Sequence, residues 1–342
     1  AQFAVSSDVQ SQSGEVPQGT STVTAALPYD AAVWDADSLS GATGSTVSAW
    51  ASTNGLRVAS PGAAVNLEGG ASIGGAAPTL LPGAINGHNA VHFNSSARSA
   101  LGVPADQNPL AGVTNFSVAL VFRTETAGTW NSSLQWWGCV GLIDAEEPGG
   151  TQDWGIAFST DGRVAGGMGG DDVTVFSKPF DLHDGAPHVA VVSYNVSGGV
   201  TMVMVDGLPV SGSIGARSQA RNIKRLLLGS VNGEDGKFFN GELAYFRLYP
   251  ECVLTEAEMG SVSAELANRY AVHLINRGNA IASMGTGLGG SEIEVCSGAA
   301  LVLPSSTNSA VTLSSGQTLY GSGTVRGTLA VATNAVIEIT PA

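Results

Sequence analysis

The residues best suited to chemistry lie in an irregular stretch between residues 128 and 155, where tryptophans flank a group of acidic side chains. Hard cations such as Ca²⁺ are held by clustered carboxylate and carbonyl oxygens that loops supply. The sequence therefore predicts a calcium site here, and Asp171 with Asp172 forms a second acidic candidate. The alternative is an acidic loop that water solvates. The predicted calcium ligands are Asp144, Glu146 and Asp153, with Glu147 beside them.

Four tryptophans flank these acidic residues, namely Trp130, Trp136, Trp137 and Trp154. An indole ring offers an apolar face for a sugar ring and a polar N–H at its edge. We therefore predict a glycan-binding site beside the acidic stretch. The alternative is that these large aromatic side chains pack in the core, which is where most such side chains lie.

The elements that must position this stretch are predicted to be strands. Alternation of apolar and smaller side chains is the signature of a strand with one buried face. A proline after such a run ends the ladder, because proline has no N–H to donate. Pro250 follows the last of these runs. The predicted strands span residues 116–122, 154–158, 188–194, 200–205 and 241–249.

One helix start follows Pro250. Thr255 and Glu258 have the spacing of a capping box, in which each side chain hydrogen-bonds to the other residue's N–H. Leu254 and Met259 have the spacing of a hydrophobic staple. Three apolar residues continue at helical spacing, Val262, Leu266 and Tyr270. We therefore predict one short amphipathic helix that covers part of a sheet.

The segment from residue 239 to 272 resembles the end of LamG-like jelly-roll domains of the concanavalin A-like group. Those domains end in a strand, a turn and a helix that closes near a tyrosine. The matching positions are Gly241, Leu243, Ala244, Phe246, Leu248, Tyr249, Leu254, Thr255, Glu258 and Tyr270.

The start of the body resembles the same group, and the resemblance covers roughly residues 29–275. It implies an all-β fold, a two-sheet antiparallel jelly-roll sandwich with one late short helix. It also agrees with a calcium ion at a loop rim, which such domains often bind. The matching positions are Trp34, Asp35, Ala36, Asp37, Val47, Trp50, Asn54 and Gly55, then Asn86, Gly87, Ala90, Val91 and Phe93.

Catalytic motifs are not found in the sequence. Hydrolases of this fold carry same-face carboxyl groups on one strand, as E-x-D-x-E or E-x-D-x-x-E. Glu292 and Glu294 have a two-residue spacing but lie outside the body, and adjacent Glu146 and Glu147 would point to opposite faces of a strand. Serine-hydrolase, zinc-protease and nucleotide-binding motifs are missing as well. We therefore predict a protein that is not an enzyme, with a glycoside hydrolase as the remote alternative.

The composition and net charge limit the kinds of binding partner that we expect and indicate where the protein is located. The chain has 342 residues, 46 of them Gly, only 12% charged residues and a net charge of −14. Such acidity disfavours nucleic acid and anionic membranes as partners. No run of 18 apolar residues exists, so no membrane-spanning segment is predicted. The chain begins with Ala rather than Met, which suggests a secreted protein whose signal peptide has been removed. The three cysteines, Cys139, Cys252 and Cys296, allow at most one disulfide.

The terminal segments differ from the body. Residues 1–28 form a Ser-, Gln- and Thr-rich arm with strand-forming pieces, residues 29–280 the jelly roll, and residues 281–342 a small β-rich segment. The last segment has short apolar steps broken by Gly, Ser and Asn, and resembles rungs of autotransporter-type β-helices, which must stack to bury a face. An arm and an uncapped rung can each pair with a neighbouring subunit. The alternative is that both ends pair within their own chain.

The sequence thus predicts a non-catalytic extracellular or cell-surface protein that is structural or adhesive. It is expected to self-assemble as a homo-oligomer, into a filament or a surface layer, through its terminal segments. The alternative function is a lectin-like carbohydrate-binding module.

Overall fold

The structure is a computed structural model that describes fifteen stretches of the chain. Within them, one α-helix, α1, spans Glu256–Tyr270, and short 3-10 turns span Ala36–Ser38, Ala105–Gln107 and Trp136–Gly138. None of the described helices is long and apolar enough to cross a membrane. The described stretches are residues 8–12, 32–53, 58–59, 76–128, 135–147, 150–170, 173–216, 225–234, 236–272, 274–277, 292–295, 300–302, 311–321, 324–326 and 329–339.

In chain order the strands are β1 (Asp8–Gln12), β2 (Ala32–Asp35), β3 (Trp50–Ala51), β4 (Val58–Ala59), β5 (Thr79–Ile85), β6 (His88–Phe93), β7 (Leu101–Val103), β8 (Phe116–Arg123), β9 (Val140–Asp144), β10 (Trp154–Phe158), β11 (Val164–Met168), β12 (Val173–Phe176), β13 (Pro187–Asn195), β14 (Val200–Val205), β15 (Leu208–Ser213), β16 (Leu226–Leu228), β17 (Gly241–Pro250), β18 (Ile275–Arg277), β19 (Glu292–Val295), β20 (Ala300–Val302), β21 (Val311–Leu313), β22 (Thr318–Gly321), β23 (Thr324–Arg326), β24 (Leu329–Val331) and β25 (Val336–Ile339).

Two antiparallel sheets form the body, which confirms the predicted all-β jelly-roll sandwich. The larger has the order β15-β14-β13-β8-β17-β6-β5, with β2 also paired to β17. The smaller has the order β12-β11-β10-β9-β16-β7. The predicted strands at 116–122, 154–158, 188–194, 200–205 and 241–249 are all present within one residue of their expected bounds.

The core lies between the inner faces of these sheets. Phe116 of the larger sheet packs against Trp154 of the smaller one, with ring centroids 4.8 Å apart. Phe122 meets Phe158 in the same way at 5.9 Å. Each of these side chains is fully buried. Alternation along each strand is therefore explained, because one set of side chains fills the space between the sheets.

The predicted capping box is present at the start of α1. The N–H and Oγ of Thr255 donate to Oε2 of Glu258 at 2.8 and 2.7 Å, and the N–H of Glu258 donates back to Oγ of Thr255 at 3.3 Å. Hydrogen bonds to its carboxylate lower the pKa of Glu258. The buried side of the helix carries the predicted apolar residues Met259, Val262, Leu266 and Tyr270.

The C-terminal strands stack in parallel and in register. β22 pairs with β19 and with β25, β23 pairs with β20, and β24 pairs with β21. Parallel pairing between segments this close in sequence produces rungs that share an interior column of side chains. Leu313 of β21 and Leu319 of β22 are buried in this column.

The described strand of the N-terminal arm belongs to the same sheet. β1 pairs antiparallel with β18 on one side and with β19 on the other. Both edges of β1 are therefore occupied within one chain. This arrangement favours pairing of the arm within its own chain over the predicted addition of residues 8–12 to a neighbouring subunit. The other residues of the arm lie outside the described stretches.

Candidate functional site

The acidic residues come together because they flank the connection between two neighbouring strands. Asp144 is the last residue of β9, and Asp153 directly precedes β10. The N–H of Ala145 donates to the carbonyl of Trp154 at 2.9 Å, which closes the connection, and the N–H of Gly150 donates to the carbonyl of Glu147 within it. Residues 148–149 lie outside the described stretches.

Asp144 connects the end of β9 to the segment that follows β16 through hydrogen bonds. Its Oδ1 accepts from the N–H of Glu146 at 3.0 Å, and its Oδ2 accepts from the N–H of Asn232 at 2.9 Å. The guanidinium of Arg225 lies 3.8 Å from Oδ2. Burial raises the pKa of Asp144 to about 6 in spite of these contacts. Its oxygens accept hydrogen bonds from the backbone and lie near Arg225, and the predicted role of Asp144 as a calcium ligand stays a prediction.

Glu146 and Asp153 have the opposite character, since their carboxyl groups face each other. Burial raises the pKa of Glu146 to about 9, with further contributions from a hydrogen bond to Asp153 and from the charge of Asp144. These surroundings favour the protonated form of the Glu146 carboxyl, with Asp153 as its hydrogen-bonding partner. The N–H of Glu147 lies 3.5 Å from Oδ2 of Asp153. Two of the three predicted calcium ligands thus form one proton-sharing pair.

Two of the predicted sugar-stacking tryptophans lie in the interior. Trp154 packs against Phe116 and Tyr194, and Trp136 lies on the backbone of Gly155 and Gly167, where any side chain beyond glycine would collide with its ring. Trp136 and Trp154 are both 0% exposed. A fully buried ring has no face for a sugar, so for these two residues the structure supports the core alternative. Trp130 lies outside the described stretches.

Trp137 is the partly exposed member of the group. The ammonium of Lys237 lies 5.7 Å from the centroid of its ring. Lys237 forms an ion pair of 2.7 Å with Glu234, which also accepts from the side-chain amide of Asn232 at 3.2 Å. An aromatic surface with charged and amide groups beside it is therefore built by the 3-10 turn at Trp136–Gly138 and by residues 232–237.

Sequence reasoning missed the partners that residues 225–237 supply. Arg225 donates to the carbonyl of Glu146 at 2.9 Å, although 79 residues separate them. Asn232 has a φ of 50° and is followed by Gly233 with a φ of 65°, so a left-handed turn carries Asn232 and Lys237 to the site. The Asn-Gly pair was the available signal, because these two residues tolerate that conformation.

The outer face of the smaller sheet is formed by small residues and is covered. Trp136 lies over Gly155 and Gly167, and the N–H of Gly141 donates to the carbonyl of Lys237 at 3.1 Å. Among the six strands of this sheet, the only acidic residue is Asp144. The strands of this sheet therefore hold no pair of carboxyl groups on one face.

A second carboxyl cluster lies on the larger sheet. The carboxylate of Glu242 in β17 accepts from Nε of Arg123 at 3.0 Å and contacts Nδ1 of His92 at 2.9 Å. These residues lie opposite one another on neighbouring strands. Burial raises the pKa of Glu242, but the hydrogen bonds with His92 and Arg123 outweigh it and leave the pKa below its ordinary value.

The other predicted metal-binding residues and the cysteines add little to the candidate site. Within the described stretches, no group of three or more His, Cys, Asp or Glu side chains is arranged to hold a metal ion. Cys139 and Cys252 are both buried, and burial raises the pKa of the Cys139 thiol to about 11. Asp171, Asp172 and Cys296 lie outside the described stretches.

Comparison with known proteins supports the fold of the body. Residues 96–260 match the Laminin_G_3 family model, described as the concanavalin A-like lectin/glucanases superfamily. The match agrees with the resemblance of the jelly roll to that group. It ends before the C-terminal strands, and no comparison supports the resemblance of the last segment to autotransporter-type rungs. A search among curated proteins finds no match.

Solved structures with similar folds are distant in sequence. A Trypanosoma rangeli sialidase in complex with the inhibitor DANA is 15% identical, with a TM-score of 0.46 over 68% of this chain and 32% of that one. Domain 4 of a GH43 extracellular arabinanase from Geobacillus stearothermophilus, in complex with arabinotriose, is 17% identical, with a TM-score of 0.47 over 68% of this chain and 97% of that one. The binding domain of botulinum neurotoxin serotype D is 12% identical, with a TM-score of 0.44 over 69% and 50%. Similarities this weak say nothing of activity or ligand.

Proposed function

We propose that the protein is a non-catalytic, lectin-like glycan-binding module and that Trp137 is the ring on which the sugar stacks. The observation that supports this is the contrast among the tryptophans. Trp34, Trp50, Trp136 and Trp154 are fully buried, whereas Trp137 keeps part of its indole at the surface. Lys237 lies beside its ring but is buried in an ion pair with Glu234. Glu234 is exposed and accepts from the amide of Asn232, and carboxylate and amide groups of this kind can hydrogen-bond to sugar hydroxyls.

The family description names both lectins and glucanases, and the carboxyl groups favour the first of these. A glycosidase needs two carboxyl groups on either side of the bond that it cleaves, one of them ionised and both within reach of the sugar. Asp144 is fully buried against Arg225, Glu242 is bonded to Arg123 and His92, and Glu146 and Asp153 are hydrogen-bonded to each other. Two carboxyl groups in direct contact leave no room for a glycosidic bond between them, so none of these residues is placed for acid and nucleophile chemistry, which supports the absence of catalysis.

The glycan proposal is tested by screening the full chain on a glycan array and titrating the best-bound glycan by calorimetry. Trp137→Ala is expected to weaken binding about tenfold or more, because stacking on an aromatic ring contributes roughly 1–2 kcal/mol. Phe180→Ala is the matched control, since Phe180 is 38% exposed and lies in the loop after β12.

Two results would contradict this proposal. One is equal affinity of the wild-type protein and the Trp137→Ala variant. The other is the absence of any glycan bound by the wild type. Detectable turnover of β-glucans, agar or carrageenan by pure protein would overturn the absence of catalysis separately.

We also propose that Glu146 and Asp153 hold Ca²⁺ when it is present. Their buried, facing carboxyl groups supply oxygen ligands, and Oε1 of Gln152 is buried without a hydrogen-bond partner among the described residues. An all-oxygen set suits a hard cation. Since the two carboxyl groups share a proton in this structure, binding of a divalent cation there would release that proton and become tighter as pH rises.

The calcium proposal is tested by thermal melts of the full chain in millimolar CaCl₂ and in chelator, at pH 6 and at pH 8. Calcium is expected to raise the melting temperature, since a ligand that binds only the folded state stabilises it. The rise should be larger at pH 8 and should vanish in Glu146→Gln, but persist in the exposed control Asp106→Asn. Identical melts with calcium and with chelator would refute the site.

We further propose that the protein is extracellular or at a cell surface, and that its terminal strands join copies of the chain. The first part is supported by the low share of charged residues, 12%, and by the Gly-rich, all-β body. The second is supported by the exposed apolar side chains Val331 and Val336 on the last two described strands. Cell fractionation with surface labelling tests the first part.

A further inference from the structure

The last described rung of the C-terminal stack leaves interior positions exposed. Leu313 of β21 is 0% exposed, yet Val331, its partner in β24, is 50% exposed. Leu319 of β22 is buried, whereas its partner Ile337 in β25 is only half-buried. Among the described residues, β24 and β25 each have a strand partner on one side only. A strand that pairs with β25 would shield Ile337 from water, whereas Val331 lies on β24, in a separate two-stranded sheet.

The opposite edge of the same sheet is β18. The strand order is β18-β1-β19-β22-β25, so β18 and β25 are its two outer strands among the described residues. β1 is antiparallel to both β18 and β19, and β19, β22 and β25 are parallel to one another. It follows that β18 runs in the same direction as β25. The β18 edge of a second copy can thus extend the stack with unchanged strand direction.

The sequences of the two edges are complementary in register. β25 begins Val336-Ile337-Glu338, and β18 reads Ile275-Asn276-Arg277. When the strands are aligned from their first residues, aliphatic positions 336 and 275 are opposite each other, Ile337 is opposite Asn276, and acidic position 338 is opposite basic position 277. Such cross-strand pairs favour one register over others.

We propose that β25 of one copy pairs in parallel with β18 of a second copy, so that copies add head to tail through this sheet. The inference deepens the contact between copies in the proposed function and does not depend on glycan binding. Each added copy presents a new β25 edge, so the contact does not close on itself unless the rotation between copies makes a ring. Unpaired sheet edges are where chains add to one another.

The experiment follows self-association of the full chain by sedimentation velocity from micromolar to millimolar concentration. The wild type is expected to form a concentration-dependent series of species. Glu338→Arg places two basic residues opposite each other in the contact and should weaken association about five- to tenfold. Asp106→Arg, at an exposed position of the jelly roll, makes the same change in net charge and should leave association unchanged.

The rescue variant makes the test specific to the proposed pair. Arg277 also lies opposite Asp8 in β1, so Asp8→Arg and Arg277→Glu are introduced together to keep opposite charges within the chain. This double variant should associate as weakly as Glu338→Arg. Adding Glu338→Arg to it should restore wild-type association. Circular dichroism checks that each variant is folded.

The proposal is overturned if the wild type stays monomeric over the whole range. It is equally overturned if the wild type associates but the triple variant does not recover, because the contact then uses another surface, such as an exchanged N-terminal arm. Glycan binding by Trp137 is measured on the same samples. If it persists in a monomeric protein, the failure concerns this contact alone and leaves the glycan-binding proposal intact.

Discussion

Glu242 and Glu146 are two glutamates of the jelly roll that are shielded from water for the most part, yet their surroundings shift their pKa values in opposite directions. Burial raises the pKa of Glu242, but His92 and Arg123 supply hydrogen bonds that outweigh it, and the net pKa is lowered. Burial likewise raises the pKa of Glu146, and the facing carboxyls of Asp153 and Asp144 raise it further, to about 9. The two pKa values shift in opposite directions because the hydrogen-bonding and charged partners of the two glutamates differ, and not because one glutamate is more buried than the other.

This comparison separates a structural carboxylate from one that is suited to bind something. Glu242 joins three strands, because Arg123 and His92 lie opposite it on β8 and β6, and it gains nothing from a further ligand. The Glu146–Asp153 pair holds a proton where a cation would neutralise both groups. Strongly shifted pKa values with a named cause are a physical reason to place a functional site there.

The largest effect is expected from removing the cation that balances Glu242. Arg123→Ala leaves the carboxylate buried without its ion pair and also removes the 2.7 Å hydrogen bond from Nη1 to the carbonyl of Ala84. We expect a loss of about 3 kcal/mol in the free energy of unfolding, measured by urea denaturation. Arg123→Met combined with Glu242→Gln removes both charges and should cost less. A loss below about 1 kcal/mol for Arg123→Ala would show that solvent screens the pair.

Much of the fold could be predicted because its signals are local. Alternation along 116–122 and 241–249 and the capping box of Thr255 and Glu258 each depend on neighbours in sequence, and all are present. The proximity of Glu146 to Asp153 is local as well, because one connection between adjacent strands joins them.

The remainder of the candidate site could not be predicted, since it depends on contacts between distant segments. Trp136 is buried because Gly155 and Gly167, on two other strands, leave room for its ring. Arg225 and Asn232 flank β16, which pairs with β9, so they reach Asp144 although Asn232 lies 88 residues further along the chain. Two tryptophans with similar local sequence therefore differ in exposure, and only the packing of the whole sandwich separates them.

Acid pH should remove the contribution of the Glu242 carboxylate to the free energy of unfolding. Its folded-state pKa lies below the ordinary value of 4.5, so the carboxylate stabilises the fold above that pH, and this contribution is lost as the pH falls through the folded pKa. Wild type should therefore exceed Glu242→Gln in stability at pH 7 by about 2 kcal/mol, and the two should converge toward pH 3. Urea midpoints from pH 3 to pH 7 give this comparison. A gap that stays constant with pH would contradict it.

Alkaline pH, rather than acid pH, should remove the contribution of Glu146 to the free energy of unfolding. Its pKa is raised from 4.5 to about 9, so its contribution is complete below pH 4.5 and declines as pH rises toward 9, because folding then requires proton uptake. Relative to Glu146→Gln, the wild type should lose stability progressively between pH 5 and pH 9 in the presence of chelator. Asp106→Asn serves as the exposed control. A difference between wild type and Glu146→Gln that does not change with pH would contradict the proton-sharing pair.

The smallest expected effect is at Glu258. It tests whether hydrogen-bonded partners or burial determine how much a carboxylate contributes to the free energy of unfolding. Glu258 has hydrogen-bonded partners, as Glu242 has, and a lowered pKa, but it lies at the start of α1 where water reaches it. Glu258→Ala removes one side of the capping box, and we expect a loss of about 0.5 kcal/mol in the free energy of unfolding. Glu258→Gln should retain most of the stability, since its side-chain oxygen still accepts from the N–H of Thr255. Urea denaturation at pH 7 measures both variants. If Glu258→Ala costs as much as Arg123→Ala, hydrogen-bonded partners alone determine the contribution, and burial of the Glu242 cluster adds nothing.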